Sequence, residues 1–269
     1  MVTNKTTAST SKRAALRAQQ EVEEAAKKRR RIVSVVIGVI VIGVIVIAAI
    51  TVGVVLGVNH KSNSSSPAQQ ITPPSATKEG AYTLNPGKAK KGAPTVTVFQ
   101  DYQCPACKGV EDALGKQFNE LSAKGDIKLQ YRTMTFLDHK LGNDASSRAA
   151  MAAAAADVVG RYGPYHDVIY AHQAAKEGVG YTDDQLRKSF AAQAGITGDK
   201  LTKFQHICDT RQTEQFVQNA SDQGLQAMQK LGAEATPAYA VNGKPWDGWG
   251  QLSSSTTSDE LLKAIVSAQ

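Results

Sequence analysis

The segment FQDYQCPACK, residues 99–108, contains two of the three cysteines of the chain, Cys104 and Cys107. Two cysteines at this spacing can form a disulfide within the first turn of a helix, or they can supply half of a metal site. A structural zinc site needs two further ligands, and here only Cys208, about 100 residues away, and a histidine could supply them. The spacing therefore favours redox chemistry and leaves a metal site as the alternative.

The cysteine pair lies between a predicted strand and a predicted helix. Residues 95–101, TVTVFQD, have the β-branched and aromatic composition of a buried strand. Apolar residues then recur at helical spacing as far as Gly125, and Pro105 suits a first helical turn, where its missing N–H is not needed. Because unpaired N–H groups at a helix start stabilise a thiolate, we expect Cys104 to be the exposed nucleophile and Cys107 the buried resolving thiol.

The remaining pattern completes one α/β domain over residues 81–269. Residues 127–136 predict a second strand, and the chain then becomes helical from about 139 to 230. Strand and hairpin character returns near Asn242-Gly243, and a closing helix follows. Since neither end has enough strands to close a sheet alone, one domain with a helical insertion fits better than two domains in tandem.

The net charge of +7 lies mainly on the N-terminal tail. Residues 1–31 hold nine Lys and Arg and three Glu, which leaves 22 basic and 21 acidic residues elsewhere. A nucleic-acid-binding protein needs its basic surface on the folded domain. The composition therefore argues against nucleic acid as a partner.

A run of 27 residues, 32–58, follows the basic tail and is apolar except for Ser34 and Thr51. At about 1.5 Å per residue, a helix of this length would be longer than the ~30 Å thickness of the hydrocarbon core. A tilt of the helix would absorb the excess length. The run is longer than the apolar part of a cleaved signal peptide, so it predicts a transmembrane signal anchor. The positive-inside rule then places residues 1–31 in the cytoplasm and the domain outside the cell membrane, where disulfides persist. Residues 59–80, rich in Ser, Pro and Gln, predict a disordered linker.

A second motif, Thr236-Pro237, opens the predicted strand AYAV. The sequence resembles the DsbA-like thiol-disulfide oxidoreductases, and more narrowly their membrane-anchored forms from Gram-positive bacteria. The resemblance rests on FQDYQCPAC, on the helical insertion and on GAEATPAYAVNGKPWDG. The resemblance covers about residues 80–269. It implies an α/β, thioredoxin-like fold interrupted by an all-helical insertion and preceded here by one transmembrane helix.

The resemblance also implies a site and partners. Cys104 and Cys107 would carry the exchange of a protein disulfide oxidoreductase, Pro237 would be cis, and Thr236 would bind a substrate peptide as an added strand. No cofactor is implied, since the cysteine pair carries the electrons. The expected partners are reduced or unfolded exported proteins and a membrane partner of the DsbB or vitamin-K-epoxide-reductase type that restores the disulfide.

The sequence departs from the family in two places. Strongly oxidising members have a histidine between the cysteines, where this chain has Pro105-Ala106. The best-known soluble members bury a glutamate in the strand below the motif, where Val98 stands here and Asp101 lies nearer the cysteines. Donation of disulfides, isomerisation and reduction therefore all stay open, as do a metal-binding module and a peptide-binding chaperone without catalysis.

Other reactive residue types have structural interpretations. We expect Cys208 to pack as a small apolar group. His166 and His172 are interpreted as surface or hydrogen-bonded core residues rather than metal ligands. Trp246 and Trp249, which flank a turn, are expected to cover an edge of the core, with a role in a substrate groove as the alternative.

Overall fold

The computed structural model describes residues 69–269. The predicted tail 1–31, the transmembrane anchor 32–58 and the first part of the linker lie outside the described residues. Among residues 69–269, no helix combines the length and the apolar composition needed to cross a membrane.

A mixed five-stranded sheet forms the centre, with the strand order β1-β3-β2-β4-β5. Only β2 and β3 run parallel; the other neighbours are antiparallel. The strands are β1 (Tyr82–Thr83), β2 (Thr95–Gln100), β3 (Lys128–Thr133), β4 (Ala238–Val241) and β5 (Lys244–Pro245). The central strand β2 therefore lies between β3, which precedes the helical block in sequence, and β4, which follows it, as a fold with a large insertion requires.

The helices follow in chain order as α1 (Pro105–Lys124), α2 (Phe136–Leu141), α3 (Ala145–Val158), α4 (Tyr162–Ala171), α5 (Phe190–Gln193), α6 (Gly198–Asp209), α7 (Glu214–Lys230) and α8 (Ser258–Val266), with a π-helical turn at Gln185–Ser189. Alternate strand residues face opposite sides of the sheet. Val98, Leu129 and Tyr239 belong to the core that includes α1 and α8, while Phe99 and Ala240 pack with Met228 of α7. The inserted helices α2 to α7 confirm the predicted helical block.

Two sequence predictions are corrected. Strand β3 ends at Thr133 rather than continuing to Phe136, because Thr135 donates hydrogen bonds from its N–H and its hydroxyl to Ser221 Oγ of α7. The predicted disordered linker is wrong for its last residues. Ile71 N–H donates to the carbonyl of Gln212, and Ser75 N–H donates to the Asp157 carboxylate at 2.9 Å, so this segment packs on the helical block.

Candidate active site

Cys104 is the N-cap residue of α1. Its backbone is extended, with φ −74° and ψ 115°, and its Sγ accepts a hydrogen bond from the Cys107 N–H at 3.3 Å. The Sγ also contacts the carbonyl oxygen of Thr236 at 3.3 Å, to which the thiol donates. The peptide bond between Thr236 and Pro237 is cis, as predicted. The fold therefore brings both sequence motifs together at one sulfur atom.

The two thiols differ in their ease of ionisation. A hydrogen bond from the Cys107 thiol, supported by contacts with Thr236 and by the N–H groups of Cys107 and Ala106, lowers the pKa of Cys104 to about 6 against the effect of burial. Burial, followed by the interaction with Cys104, raises the pKa of Cys107 well above its ordinary value. The site thus has one thiolate and one thiol near neutral pH.

The expected exposure of Cys104 is wrong. Cys104 is only 6% exposed and Cys107 only 5%, whereas Pro105 and Ala106 between them are exposed. Thr236 and Pro237 are half-buried beside them. A thiol of a client protein would reach Cys104 along the side that these four residues surround.

The helical block holds the segment that leads into Cys104. Gln173 Nε2 donates to the carbonyl oxygens of Tyr102 and Cys104, at 2.8 and 3.1 Å. The Tyr181 hydroxyl donates to the same Tyr102 carbonyl at 2.8 Å, and the Tyr170 hydroxyl donates to the Asp101 carbonyl at 3.2 Å. These side chains bind the carbonyl groups of three residues around the start of α1, so the insertion fixes the backbone on which Cys104 stands.

Asp101 is the buried carboxyl group of this segment. One of its oxygens accepts hydrogen bonds from Gln103 N–H and Ser146 Oγ, and the other accepts from Leu137 N–H. Burial raises the pKa of Asp101 to about 7, although these bonds act in the opposite direction. Val98, the position of the family's buried glutamate, is paired with Tyr131 in the sheet and packs in the core. The acidic group nearest in sequence to the cysteines therefore lies in the loop and not in the strand.

The other reactive residues lie where the sequence places them. Cys208 packs against the core, and burial raises its pKa to about 12. His166 is buried and His172 is exposed. Trp246 and Trp249 both contact the ring of Tyr239, which confirms that they cover a core edge. Within residues 69–269, no cluster of three possible metal ligands contains a cysteine, so the alternative of a metal site at the cysteine pair has no support there.

A family model described as thioredoxin matches residues 87–265, which is more than half of the chain. The chain belongs to the thioredoxin family. A comparison with curated protein sequences found no match.

Solved structures show which variant of the fold is present. The MdbA protein of Corynebacterium diphtheriae, a thiol-disulfide oxidoreductase, matches with a TM-score of 0.56 and 18% identity, over 77% of this chain and 100% of that one. MdbA of Actinomyces oris, also a thiol-disulfide oxidoreductase, matches with a TM-score of 0.58 and 18% identity, over 77% of this chain and 94% of that one. BdbD of Bacillus subtilis, in its oxidised form, matches with a TM-score of 0.53 and 23% identity, over 74% of this chain and 98% of that one. The predicted DsbA-like architecture is thereby confirmed.

Proposed function

We propose that this protein is a membrane-anchored, extracytoplasmic thiol-disulfide oxidoreductase that introduces disulfides into exported proteins through Cys104 and Cys107. The observation that carries the proposal is the pairing of a buried N-cap thiol, whose pKa is lowered to about 6, with a second thiol one turn later whose pKa is raised. Two proteins whose fold this chain shares, the MdbA proteins, are thiol-disulfide oxidoreductases, which supports the proposal.

The reaction would proceed in two exchanges. A client thiolate attacks Cys104 Sγ of the oxidised enzyme, so a mixed disulfide forms and Cys107 leaves as thiolate and takes up a proton. A second client thiolate then attacks the client sulfur of the mixed disulfide, and Cys104 leaves as the stabilised thiolate. The client loses two electrons to the enzyme. A membrane partner of the DsbB or vitamin-K-epoxide-reductase type would accept them and restore the disulfide.

The thiolate pKa favours oxidation over reduction. A lower pKa of the attacking cysteine stabilises the reduced form and makes the couple more oxidising, as in DsbA, with a thiolate pKa of about 3.5 and a potential of about −120 mV. Thioredoxin, a reductant, has a thiolate pKa of about 7 and a reduction potential of about −270 mV. Cys104, with a pKa of about 6, lies between them. We therefore expect an oxidant milder than DsbA, consistent with the absence of a histidine between the cysteines.

A client segment would bind at the open start of β4. Within the described residues, β5 pairs only with Ala240 and Val241, so the edge of β4 beside Thr236 and Pro237 has no neighbouring strand. An extended peptide added there would place its cysteine next to Cys104. The anchor over residues 32–58 and the basic tail before it support action at the outer face of the cell membrane.

Trapping of the mixed disulfide tests this function. The full chain with Cys107→Ala, expressed in a cell that exports disulfide-containing proteins, should accumulate in thiol-sensitive adducts with them, because Cys104 can attack a client disulfide but Cys107 is no longer present to resolve the adduct. Cys104→Ala should give none, and the matched control Cys208→Ala should behave as the wild type. Equal adduct levels in the Cys107→Ala and Cys104→Ala proteins would overturn the proposal.

A further inference from the structure

A cluster of possible metal ligands lies between α1 and α4. One ligand atom each from Glu111, His166 and Asp167 lies within 4.8 Å of the other two. Glu111 follows Cys107 by one turn of α1, and the other two residues belong to α4. The redox chemistry described above uses none of these three side chains.

Hydrogen bonding fixes the orientation of the His166 ring. Gln100 Nε2 donates to Thr133 Oγ1 at 3.2 Å, so its Oε1 faces His166 Nε2 at 3.1 Å. Because this oxygen can only accept, Nε2 donates to it, and Nδ1 is the ring nitrogen that faces the cluster. Such a partner on the far nitrogen is the usual way in which a protein orients a metal-binding histidine.

The other ring nitrogen, Nδ1, faces a carboxylate. Asp167 Oδ1 lies 3.3 Å from His166 Nδ1. Two ligands bound to one zinc ion at about 2.1 Å each in a tetrahedral arrangement lie roughly 3.4 Å apart. The spacing of the pair therefore matches that of two ligands on one metal ion.

Two buried oxygen atoms around the cluster also lack partners. Within the described residues, the Tyr131 hydroxyl and Asn119 Oδ1 are buried and make no hydrogen bond. Tyr131 is 1% exposed, its ring lies 4.3 Å from that of His166, and Glu111 and Asp167 are the charged groups that act most strongly on its hydroxyl. Asn119 Nδ2 donates to Asp167 at 3.3 Å. Unsatisfied buried oxygens of this kind indicate a missing partner.

The space for the Glu111 carboxylate exists because α1 has a glycine. A Cβ at Gly115 would overlap Glu111 Oε1, so an alanine there would displace the carboxylate. Glycine inside a helix costs about 1 kcal/mol relative to alanine. The adjoining cleft has a volume of about 570 Å³, and its lining has one lysine and four acidic residues, Glu111, Asp112, Glu120 and Asp167. This excess of negative charge favours the entry of cations to the cluster.

We propose that Glu111, His166 and Asp167 bind one divalent first-row transition-metal ion, with zinc as the expected occupant. One imidazole nitrogen and two carboxylates suit zinc or cobalt better than calcium or magnesium, which prefer oxygen ligands alone. Asn119 Oδ1 or a water molecule completes the coordination. His166 is then a metal ligand as well as a hydrogen-bonded core residue. The metal site is separate from the cysteine pair.

The test measures Zn²⁺ and Co²⁺ binding to the full chain in detergent, in a Cys104→Ser/Cys107→Ser background that removes thiol ligands. Calorimetry should give one equivalent of Zn²⁺, and Co²⁺ should give a visible absorption band without a thiolate charge-transfer band. Glu111→Gln and Asp167→Asn should each weaken binding by about tenfold or more. The control Asp222→Asn, an exposed acid of α7 away from the cleft, should change it less than twofold.

Gly115→Ala gives a second variant that keeps every ligand and does not threaten the fold. It should weaken Zn²⁺ binding by about tenfold while leaving the unfolding transition unchanged or slightly higher. Binding that is absent, that needs Cys104 and Cys107, or that is equal in Asp222→Asn, Asp167→Asn and Gly115→Ala would overturn the proposal.

Discussion

Cys104 and Cys208 are the same residue type in two different helical positions. Cys104 starts α1, and its pKa is lowered to about 6. Cys208 lies in the last turn of α6, beside Asp209, and its pKa is raised to about 12. Cys208 is nevertheless the more exposed of the two. Exposure therefore does not decide which thiol of this protein is reactive.

The hydrogen-bond donors around each sulfur account for the difference. Burial raises the pKa of both thiols. At the start of α1, the Cys107 thiol and backbone N–H groups that have no helical partner donate to Cys104. In the last turn of α6 the unpaired backbone groups are carbonyls, and the carboxylate of Asp209 disfavours a second negative charge. A helix start thus activates a buried cysteine, whereas a helix end keeps it inert.

The largest expected effect is on catalysis. Cys104→Ser should reduce disulfide exchange with a reduced client protein to the uncatalysed rate, because a hydroxyl cannot form the mixed disulfide. The assay is oxidative refolding of a reduced, disulfide-containing substrate by the oxidised full chain. Retention of catalysis in this variant, or its loss in Cys208→Ala, would reverse the roles assigned to the two positions.

Alkylation of the reduced protein sharpens the contrast. At pH 7 a thiol with a pKa of about 6 is about nine-tenths thiolate, and one with a pKa of about 12 is roughly 10⁻⁵ thiolate. The lower intrinsic nucleophilicity of the more acidic thiol offsets about three orders of magnitude, so Cys104 should react with iodoacetamide about a hundredfold faster. Its rate should rise with pH through about 6 and then level off. Mass spectrometry of peptides at timed quenches gives both rates, and comparable rates would contradict the account.

The buried carboxyl before Cys104 should affect stability. Burial holds Asp101 protonated up to a pKa of about 7, against about 3.9 in the unfolded chain. A raised folded-state pKa contributes stability that is complete below pH 3.9 and is lost as the pH rises through 7. The wild type should therefore lose up to about 4 kcal/mol of unfolding free energy between pH 4 and 7 through this group.

Asp101→Asn should remove that dependence. It should also cost about 1–3 kcal/mol near pH 4, because an amide nitrogen would face one of the donors that now bind the carboxyl oxygens. Urea unfolding of the oxidised protein across this pH range measures both effects, with the exposed Asp112→Asn as control. An unchanged slope in Asp101→Asn would show that Asp101 is ionised throughout.

The smallest effect is expected at Cys208. Cys208→Ala removes one sulfur atom from the edge of the core, so it should lower the unfolding free energy by about 1 kcal/mol or less. Denaturant unfolding checks the value, with wild-type exchange activity as the accompanying result. A loss of several kcal/mol would mean that Cys208 holds α6 in place through contacts that its apolar packing does not explain.

The local features of the site follow from the sequence. Strand β2 forms from the β-branched run before the cysteines. Helix α1 begins with Pro105 and ends at Gly125, which has the left-handed conformation. Asn242-Gly243 forms the predicted hairpin turn. Each depends on neighbours within a few residues. A short-range pattern is therefore enough to identify them.

The support of the cysteine loop does not follow from the sequence. Ser146, Gln173 and Tyr181 reach Asp101 and Tyr102 from elements 45 to 79 residues away in the chain. No periodicity encodes such contacts. The only local sign is the spacing of Asp101 and Gln103, whose side-chain to backbone hydrogen bond forms a turn before the helix. The low exposure of Cys104 likewise results from the tertiary contact with Thr236.

The reduction potential of the Cys104–Cys107 pair tests the central claim most directly. The full chain would be equilibrated with glutathione buffers, and the thiol state of each cysteine would be read by alkylation and mass spectrometry. The account predicts one reversible two-electron couple between about −270 and −120 mV, with Cys208 a free thiol throughout. A potential at or below about −270 mV would make the protein a reductant, and the absence of a reversible couple between Cys104 and Cys107 would contradict the assignment of the site.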